Sequence, residues 1–159
     1  MTSVRTCKPE EAAAIAELLN RAYEVERSIV VESPDTAESI ASDRCLGTYL
    51  VAVDEVGTMA GCVLVLRNGF VLRLAVEPTL QNRGIGRQLM NEAEALLAGN
   101  GMPLAYVSIL SARPELRHYY ERLGYSTTGE TCPLTGKPLP LVSCHLIKMA
   151  KHIGHGTNE

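Results

Sequence analysis

Short apolar segments alternate along this chain with longer stretches in which apolar residues recur every three or four positions. The first pattern is typical of strands and the second of amphipathic helices. Strands are therefore predicted over residues 3–7, 49–53, 59–66, 70–76, 104–110, 125–130 and 141–149. Asn68-Gly69 lies between two of the apolar runs, and this dipeptide favours a tight hairpin.

Four helices are predicted between these strands. The first begins at Lys8 and fades near residues 23–26, and the second begins at a Ser33 cap with Pro34 in the first position. The third begins at about Gly84 and ends at Gly99-Asn100-Gly101, and the fourth covers residues 114–123. Proline is tolerated in a first helical turn, and a serine cap satisfies a free N–H group there.

The resulting order is β-α-α-β-β-β-α-β-α-β-β. It predicts an α/β (α+β) fold with a mixed, mostly antiparallel central sheet of about seven strands flanked by helices. We expect one domain over residues 1–150 and a flexible tail over residues 151–159.

The turn between the fourth strand and the third helix has the composition of an anion-binding site. Residues 77–87 read Glu-Pro-Thr-Leu-Gln-Asn-Arg-Gly-Ile-Gly-Arg. Glycines let backbone N–H groups approach an anion, and a helix N-terminus adds unpaired donors with partial positive charge. The chain lacks the Gly-Lys-Ser/Thr of a P-loop, and Leu89 stands where the dinucleotide fingerprint needs a small residue. A pyrophosphate site of another kind is predicted.

Two motifs carry a family resemblance. Gln81-x-x-Gly84-x-Gly86 after a strand resembles the acyl-CoA-binding motif of the GNAT N-acetyltransferase superfamily, and residues 119–125, Tyr-Tyr-Glu-Arg-Leu-Gly-Tyr, are similar to a second signature of that superfamily. The resemblance covers residues 3–149. It implies transfer of the acetyl group of acetyl-CoA to a primary amine of a small molecule or peptide, directly within a ternary complex. A non-catalytic acyl-CoA-binding sensor or interaction module of the same fold is the alternative.

The same resemblance implies roles for individual residues. Tyr120 would protonate the departing thiolate, and the backbone N–H of Val76 would bond the thioester oxygen. A bulge would splay the fourth strand from the fifth, and Arg113 replaces an asparagine common in relatives. The expected acetyl-CoA contacts are Leu74, Ala75, Val76, Gln81, Asn82, Arg83, Gly84, Ile85, Gly86, Arg87, Ser111, Arg113 and Tyr120.

The acceptor pocket is expected from residues 23–32, 108–111 and 131–140, because loops carry specificity. Candidate substrate contacts are Tyr23, Glu26, Arg27 and Ser108. The mixed charges fit a small zwitterionic amine, but a peptide N-terminus or a lysine also fits. The general base stays open: the candidates are Glu26, Glu32, Glu77, His118 and His145, and most are expected to be solvated surface residues.

Composition narrows the class of protein. The five cysteines are scattered, with no Cys-x-x-Cys pair and no histidine at ligand spacing, so we expect buried thiols and no metal. The net charge of -3 disfavours nucleic acid as a partner. No apolar run is long enough to span a bilayer and no signal peptide is evident, which predicts a cytoplasmic protein without a membrane partner. A homodimer that pairs the C-terminal strand across subunits is a further open possibility.

Overall fold

A computed structural model describes residues 1–28, 30–31, 34–133, 139–140 and 144–154, with backbone alone at 27–28, 30–31 and 139–140. Its strands are β1 (Ser3–Thr6), β2 (Val30–Val31), β3 (Gly47–Val53), β4 (Met59–Leu66), β5 (Val71–Val76), β6 (Leu104–Leu110), β7 (Ser126–Pro133), β8 (Leu139–Pro140) and β9 (His145–His152). Its α-helices are α1 (Ala12–Ala22), α2 (Ala37–Arg44), α3 (Ile85–Gly99) and α4 (Pro114–Arg122), with 3-10 turns at Pro9–Glu11, Glu24–Ser28 and Pro78–Leu80.

The α/β class is confirmed, but the strands form two larger sheets instead of one. One sheet has the order β1-β3-β4-β5 and the other β6-β9-β7, while β2 pairs with β8. All of these pairs are antiparallel. The two larger sheets meet at an isolated parallel bridge between Phe70 and Tyr106.

Strands β3 and β4 are buried on both faces, which explains their nearly continuous apolar sequences. Leu50 and Val63 belong to a core that includes α3, whereas Tyr49 and Cys62 belong to a second core that includes α1 and α2. A strand covered on both faces needs apolar residues at every position rather than at alternate ones. Among the helices that the structure describes, none is long and apolar enough to cross a membrane.

A bulge in β5 opens the gap on which the site depends. Cys62 pairs with Ala75 and Leu64 with Leu72, so β5 carries one residue more than β4 between these pairs. Within this stretch Arg73 has a left-handed backbone, with φ of 58°. An extra residue bends its strand and increases the local twist. Strand β5 consequently diverges from β6 beyond the Phe70–Tyr106 bridge, as predicted.

The predicted start of the second helix is wrong. Thr36, not Ser33, caps α2: its side chain accepts from the Ser39 N–H, and the Ser39 hydroxyl accepts from the Thr36 N–H. This reciprocal capping satisfies two backbone donors, so the helix begins at Ala37, after Pro34. Ser33 lies outside the described residues.

The last strand lies inside its sheet and not at the edge that pairing across subunits would need. Strand β9 lies between β6 and β7, with Ala150 opposite Tyr106 on one side and Ser126 on the other. Both of its edges are paired within the chain, so it offers no free edge to a second subunit. It also extends to His152, two residues into the predicted tail.

Candidate active site

A cleft of about 1230 Å³ opens where β5 and β6 diverge. It is bounded by β5, the start of α3, one face of α4 and the end of α1 with the 3-10 turn that follows it. Of the predicted site residues, those that line it are Tyr23, Glu26, Leu74, Ala75, Val76, Gln81, Asn82, Gly84, Ile85, Gly86, Arg87, Ser108, Arg113 and Tyr120. The two predicted halves of the site therefore face one continuous space.

The glycine loop forms one end of the cleft. Gly84 caps α3 with a left-handed backbone, at φ of 83°, and Asn82 is also left-handed. The first-turn N–H groups of α3 have no partner within the helix, and the helix dipole is positive here. A methyl group at Gly86 would lie 2.5 Å from the Tyr119 hydroxyl, so a larger residue here would require the Tyr119 side chain to move. These features suit an anion held by backbone donors.

Two arginines line this end of the cleft and have no acidic partner among the described residues. Arg87 and Arg122 line the cleft, and neither forms an ion pair or hydrogen bond within the part of the chain that the structure describes. Their charges act on Tyr119, although burial dominates and raises the pKa of that phenol. The positive charge of both arginines is free to meet phosphate groups.

Strand β5 presents unpaired backbone groups along the gap. Glu77 donates its N–H to Ala60 at 2.8 Å, and the next pair along the ladder is Gly61 with Val76. Hydrogen-bonded and non-bonded pairs alternate in an antiparallel ladder, so the Val76 N–H points away from β4 and into the gap. The Val76 carbonyl accepts only a long bond, 3.3 Å, from the Gln81 side chain. A ligand entering the gap would meet a free strand edge.

Tyr120 is buried and lines the cleft. Its side chain is 8% exposed, and its ring packs edge-on against Tyr119 and Tyr125. The Tyr120 hydroxyl makes no hydrogen bond to any described residue. Burial raises the pKa of Tyr120, with Tyr119 and Glu26 adding to the rise and Arg113 opposing it. The phenol is therefore held protonated, with its proton available to a ligand.

A hydrogen bond between Tyr23 and Leu74 lies at the other end of the cleft. The Tyr23 hydroxyl donates to the Leu74 carbonyl at 2.7 Å. Burial raises the pKa of Tyr23 well above its ordinary value, so this hydroxyl stays a donor. The bond fixes the bulged part of β5 against the end of α1.

Arg113 spans the cleft between two acids. Its guanidinium donates to Glu26 at 2.7 Å and to Glu115 at 3.0 Å. Burial lowers the pKa of Arg113, but the hydrogen bonds that it donates to both carboxylates raise it above its ordinary value. The pair with Glu26 joins the 3-10 turn after α1 to the start of α4.

Arg73 is held in the same way on the opposite wall. It donates to Asp35 and to the Tyr49 hydroxyl, and its Nε lies 3.3 Å from an oxygen of Asp43. Asp35 in turn bonds Asn20 through backbone groups. These acids were missed in the sequence, although a lone arginine in the middle of an apolar strand signals that carboxylates must lie nearby.

The candidate general bases differ in their exposure and in whether they line the cleft. The Glu26 side chain is only 13% exposed, so the expectation of a solvated residue is wrong for it. Glu77 pairs with Arg21 and His118 is 70% exposed, and neither lines the cleft. His145 is exposed as well, and Glu32 lies outside the described residues. Glu26 is the predicted base that the cleft contains among the described residues.

Three predicted contacts fall elsewhere. Ser111 does not line the cleft, because its hydroxyl accepts the His145 N–H at 2.9 Å and ties the end of β6 to β9. Arg83 is exposed outside the cleft lining. The side chain of Arg27 lies outside the described residues, as does most of the loop predicted over residues 131–140.

Comparison with known proteins agrees with this geometry. The model of the acetyltransferase (GNAT) domain matches residues 46–127, just over half of the chain. No curated protein matches in sequence. Among solved structures, the ribosomal-protein-S18-alanine N-acetyltransferase of Escherichia coli superposes with a TM-score of 0.75 at 18% identity, over 100% of this chain and 98% of the other. The yncA protein of Salmonella typhimurium, assigned as an acetyltransferase and solved with its cofactor acetyl-CoA, has a TM-score of 0.74 at 18% identity, with the same coverage. The chain belongs to the GNAT acetyltransferase family.

Proposed function

We propose that this protein transfers the acetyl group of acetyl-CoA to a primary amine, directly within a ternary complex. The observation that carries the proposal is one cleft that contains the α3 N-terminus, the free N–H of Val76 and the buried hydroxyl of Tyr120. When bound, acetyl-CoA supplies an activated acetyl thioester. The chain's own residues have to anchor it, stabilise charge on its carbonyl oxygen and move two protons.

Anchoring falls to the glycine loop and β5. The first-turn N–H groups of α3 and the unpaired Arg87 and Arg122 suit a pyrophosphate. The free edge of β5 suits the amides of an extended arm, which would add to it as a further strand. Arg113 stands at the position of the common family asparagine. Because its guanidinium is bonded to Glu26 and Glu115, Arg113 contributes little to phosphate binding.

Charge on the thioester oxygen would be met by the Val76 N–H. A backbone donor fixed by a strand needs no reorganisation as charge develops, and removing such a donor from other enzymes typically costs about 100-fold or more in kcat. Tyr120 then donates its proton to the leaving thiolate. Its raised pKa keeps the phenol protonated at neutral and mildly alkaline pH.

The amine has to lose a proton before or during attack. Glu26 lines the acceptor end of the cleft, and its Oε2 is held by Arg113. The other carboxylate oxygen makes no hydrogen bond to a described residue, which leaves it able to accept a proton directly or through water. Glu26 is therefore the base in this proposal.

Substitution of Tyr120 tests the proposal. Tyr120→Phe removes the acid but keeps the packed ring, so thiol release from acetyl-CoA should fall by roughly 100-fold while acetyl-CoA affinity is unchanged. Tyr119→Phe is the matched control, because it removes a neighbouring hydroxyl that contacts Gly86 instead. Equal activity of the Tyr120→Phe variant and the parent would remove Tyr120 as the acid. Binding of acetyl-CoA with no transfer to any amine by the parent would favour the non-catalytic alternative.

A further inference from the structure

The acceptor end of the cleft has more acidic than basic side chains. Four carboxylates stand around two arginines: Glu26 and Glu115 around Arg113, and Asp35 and Asp43 around Arg73. All of these side chains except that of Asp43 line the cleft. Each arginine with its two acids has a net charge of -1. This end of the cleft is therefore anionic, although its residue types look balanced in the sequence.

The charge of each arginine is already met by two protein acids. Arg113 directs its Nη1 to Glu26 and its Nε to Glu115, and Arg73 directs its Nη2 to Asp35 and its Nε to Tyr49. A ligand carboxylate could reach only the remaining Nη group of either arginine, where it would be a third carboxylate beside one guanidinium and would be repelled by the two protein acids. A zwitterionic acceptor such as an amino acid is accordingly disfavoured here.

Two of the acids keep an oxygen free for a cation. Glu26 and Asp35 line the cleft, and Oε1 of Glu26 and Oδ2 of Asp35 make no bond to any residue in the described part of the chain. The unbonded Tyr120 hydroxyl, nine-tenths buried, lines the same cleft and senses the charges of both Glu26 and Arg113. This is the end at which the proposed reaction would occur.

The opposite end of the cleft has the reverse polarity. There Arg87 and Arg122 have no acidic partner among the described residues, whereas both arginines of the acceptor end have two. Free guanidinium groups suit phosphates, and free carboxylate oxygens suit ammonium groups. The cleft thus separates an anionic donor substrate from a cationic acceptor.

We infer that the acceptor is a small di- or polyamine with no carboxylate beside the reacting nitrogen. The inference rests on the proposed acetyl transfer and specifies its substrate. One nitrogen would approach Tyr120 and Glu26, while a second ammonium group is held by the anionic surroundings that include Asp35. Transfer forms the amide C–N bond and breaks the thioester C–S bond; the amine proton leaves to Glu26 and the thiolate takes its proton from Tyr120.

Matched acceptor pairs test this inference. Cadaverine and lysine differ by one carboxylate, as do putrescine and ornithine, and agmatine and arginine. Binding of each compound to the CoA-saturated protein is measured by calorimetry, and acetylation by thiol release from acetyl-CoA. We expect kcat/KM and affinity to be at least tenfold higher for the compound without the carboxylate in at least one pair.

The outcomes separate the two proposals. Equal or better use of the amino acids would overturn the inference and leave the acetyltransferase proposal standing. Failure of both members of every pair to bind would overturn the inference as well. Preferential binding of the diamines with no thiol release would support the inference and contradict the proposed transfer.

A substitution supplies an independent readout. Glu26→Gln removes one negative charge and frees an arm of Arg113, so the ratio of kcat/KM between diamine and amino acid should fall at least tenfold. Any loss of proton transfer acts on both acceptors and cancels in this ratio. Glu121→Gln, an exposed acid on α4 outside the cleft lining, is the control and should leave the ratio unchanged. An unchanged ratio in Glu26→Gln would count against the inference.

Discussion

The Tyr23 hydroxyl donates a 2.7 Å hydrogen bond to the carbonyl oxygen of Leu74 and so joins the end of α1 to the bulged part of β5. Because Leu74 lies directly beside Arg73, whose backbone is left-handed, the bond supports the conformation that separates β5 from β6. It also occupies one lone pair of a carbonyl that an extended ligand arm would otherwise use. Tyr23 is therefore a positioning residue for the donor side of the cleft.

Tyr23→Phe should weaken catalysis by loosening the bulge. The loss of one buried hydrogen bond costs about 1 kcal/mol of unfolding free energy, since the Leu74 carbonyl is left without its partner. We expect kcat/KM for acetyl-CoA to fall about tenfold, measured by initial rates, with a lower unfolding midpoint. Tyr106→Phe is the control, because the Tyr106 hydroxyl bonds no described residue and does not line the cleft. Equal losses in both variants would contradict the positioning role.

Gly86→Ala should reduce acetyl-CoA affinity. The added methyl group would meet the Tyr119 hydroxyl and force the Tyr119 side chain to move at the start of α3, next to the proposed phosphate site. We expect the Kd for acetyl-CoA, measured by calorimetry, to rise at least tenfold. Gly99→Ala at the other end of the same helix meets nothing within 4 Å and should stabilise the protein by up to about 1 kcal/mol without altering the Kd. An unaltered Kd in Gly86→Ala would remove the loop as the phosphate site.

The ion pair between Arg5 and Glu11 should make the free energy of unfolding decrease as the pH falls into the acid range. Two hydrogen bonds from Arg5, at 2.8 and 2.9 Å, hold the pKa of Glu11 at about 2. A depressed carboxyl pKa contributes stability that is complete above the ordinary value of 4.5 and is lost as pH falls toward 2. Glu11→Gln should thus cost about 1 kcal/mol at pH 7 and only a small part of that near pH 2, where the carboxyl is half protonated in the folded state. Urea unfolding at both pH values measures this, and an equal loss at both would contradict the electrostatic origin.

The cysteines should divide into two reactivity classes. Cys7 and Cys62 are buried, and burial raises the pKa of Cys62 to about 12, so both thiols should resist modification in the folded state. Cys45 and Cys132 are exposed and Cys144 is half-buried, so the expectation of buried thiols is wrong for these three. Titration with a disulfide reagent should show three fast thiols before unfolding and five after it. Rapid reaction of Cys62 in the folded protein would contradict this packing.

Local signals in the sequence predicted the elements well. The Asn68-Gly69 hairpin, β6 and the extent of α3 match the prediction because turn residues and helical periodicity act over a few positions. The second helix and the last strand were misplaced for a related reason. The start of the second helix depends on which of two nearby residues, Ser33 or Thr36, acts as the cap. The extent of β9 depends on its pairing with β6 and β7, which are distant in sequence.

The structure brings together residues that two separate motifs predicted for the site. Gly84, Gly86 and Tyr120 line the cleft together, as the two motifs implied. The charge of the acceptor end could not be predicted, because Arg73 meets Asp35 and Asp43 only through folding. In the sequence, Glu26 and Arg113 count as one charge of each sign, which fits a zwitterionic acceptor, whereas in the structure they pair with each other. This pairing supports the inferred di- or polyamine acceptor instead.

The central claim is tested most directly by thermal unfolding of the protein with acetyl-CoA, CoA, NAD or ATP. A ligand present at 100 times its Kd stabilises the folded state by about 2.7 kcal/mol, which raises the midpoint by about 5 °C or more for a chain of this size. The proposed site predicts this rise with acetyl-CoA and with CoA, and not with NAD or ATP. The absence of any rise with either CoA compound in a folded sample would contradict the acetyltransferase account.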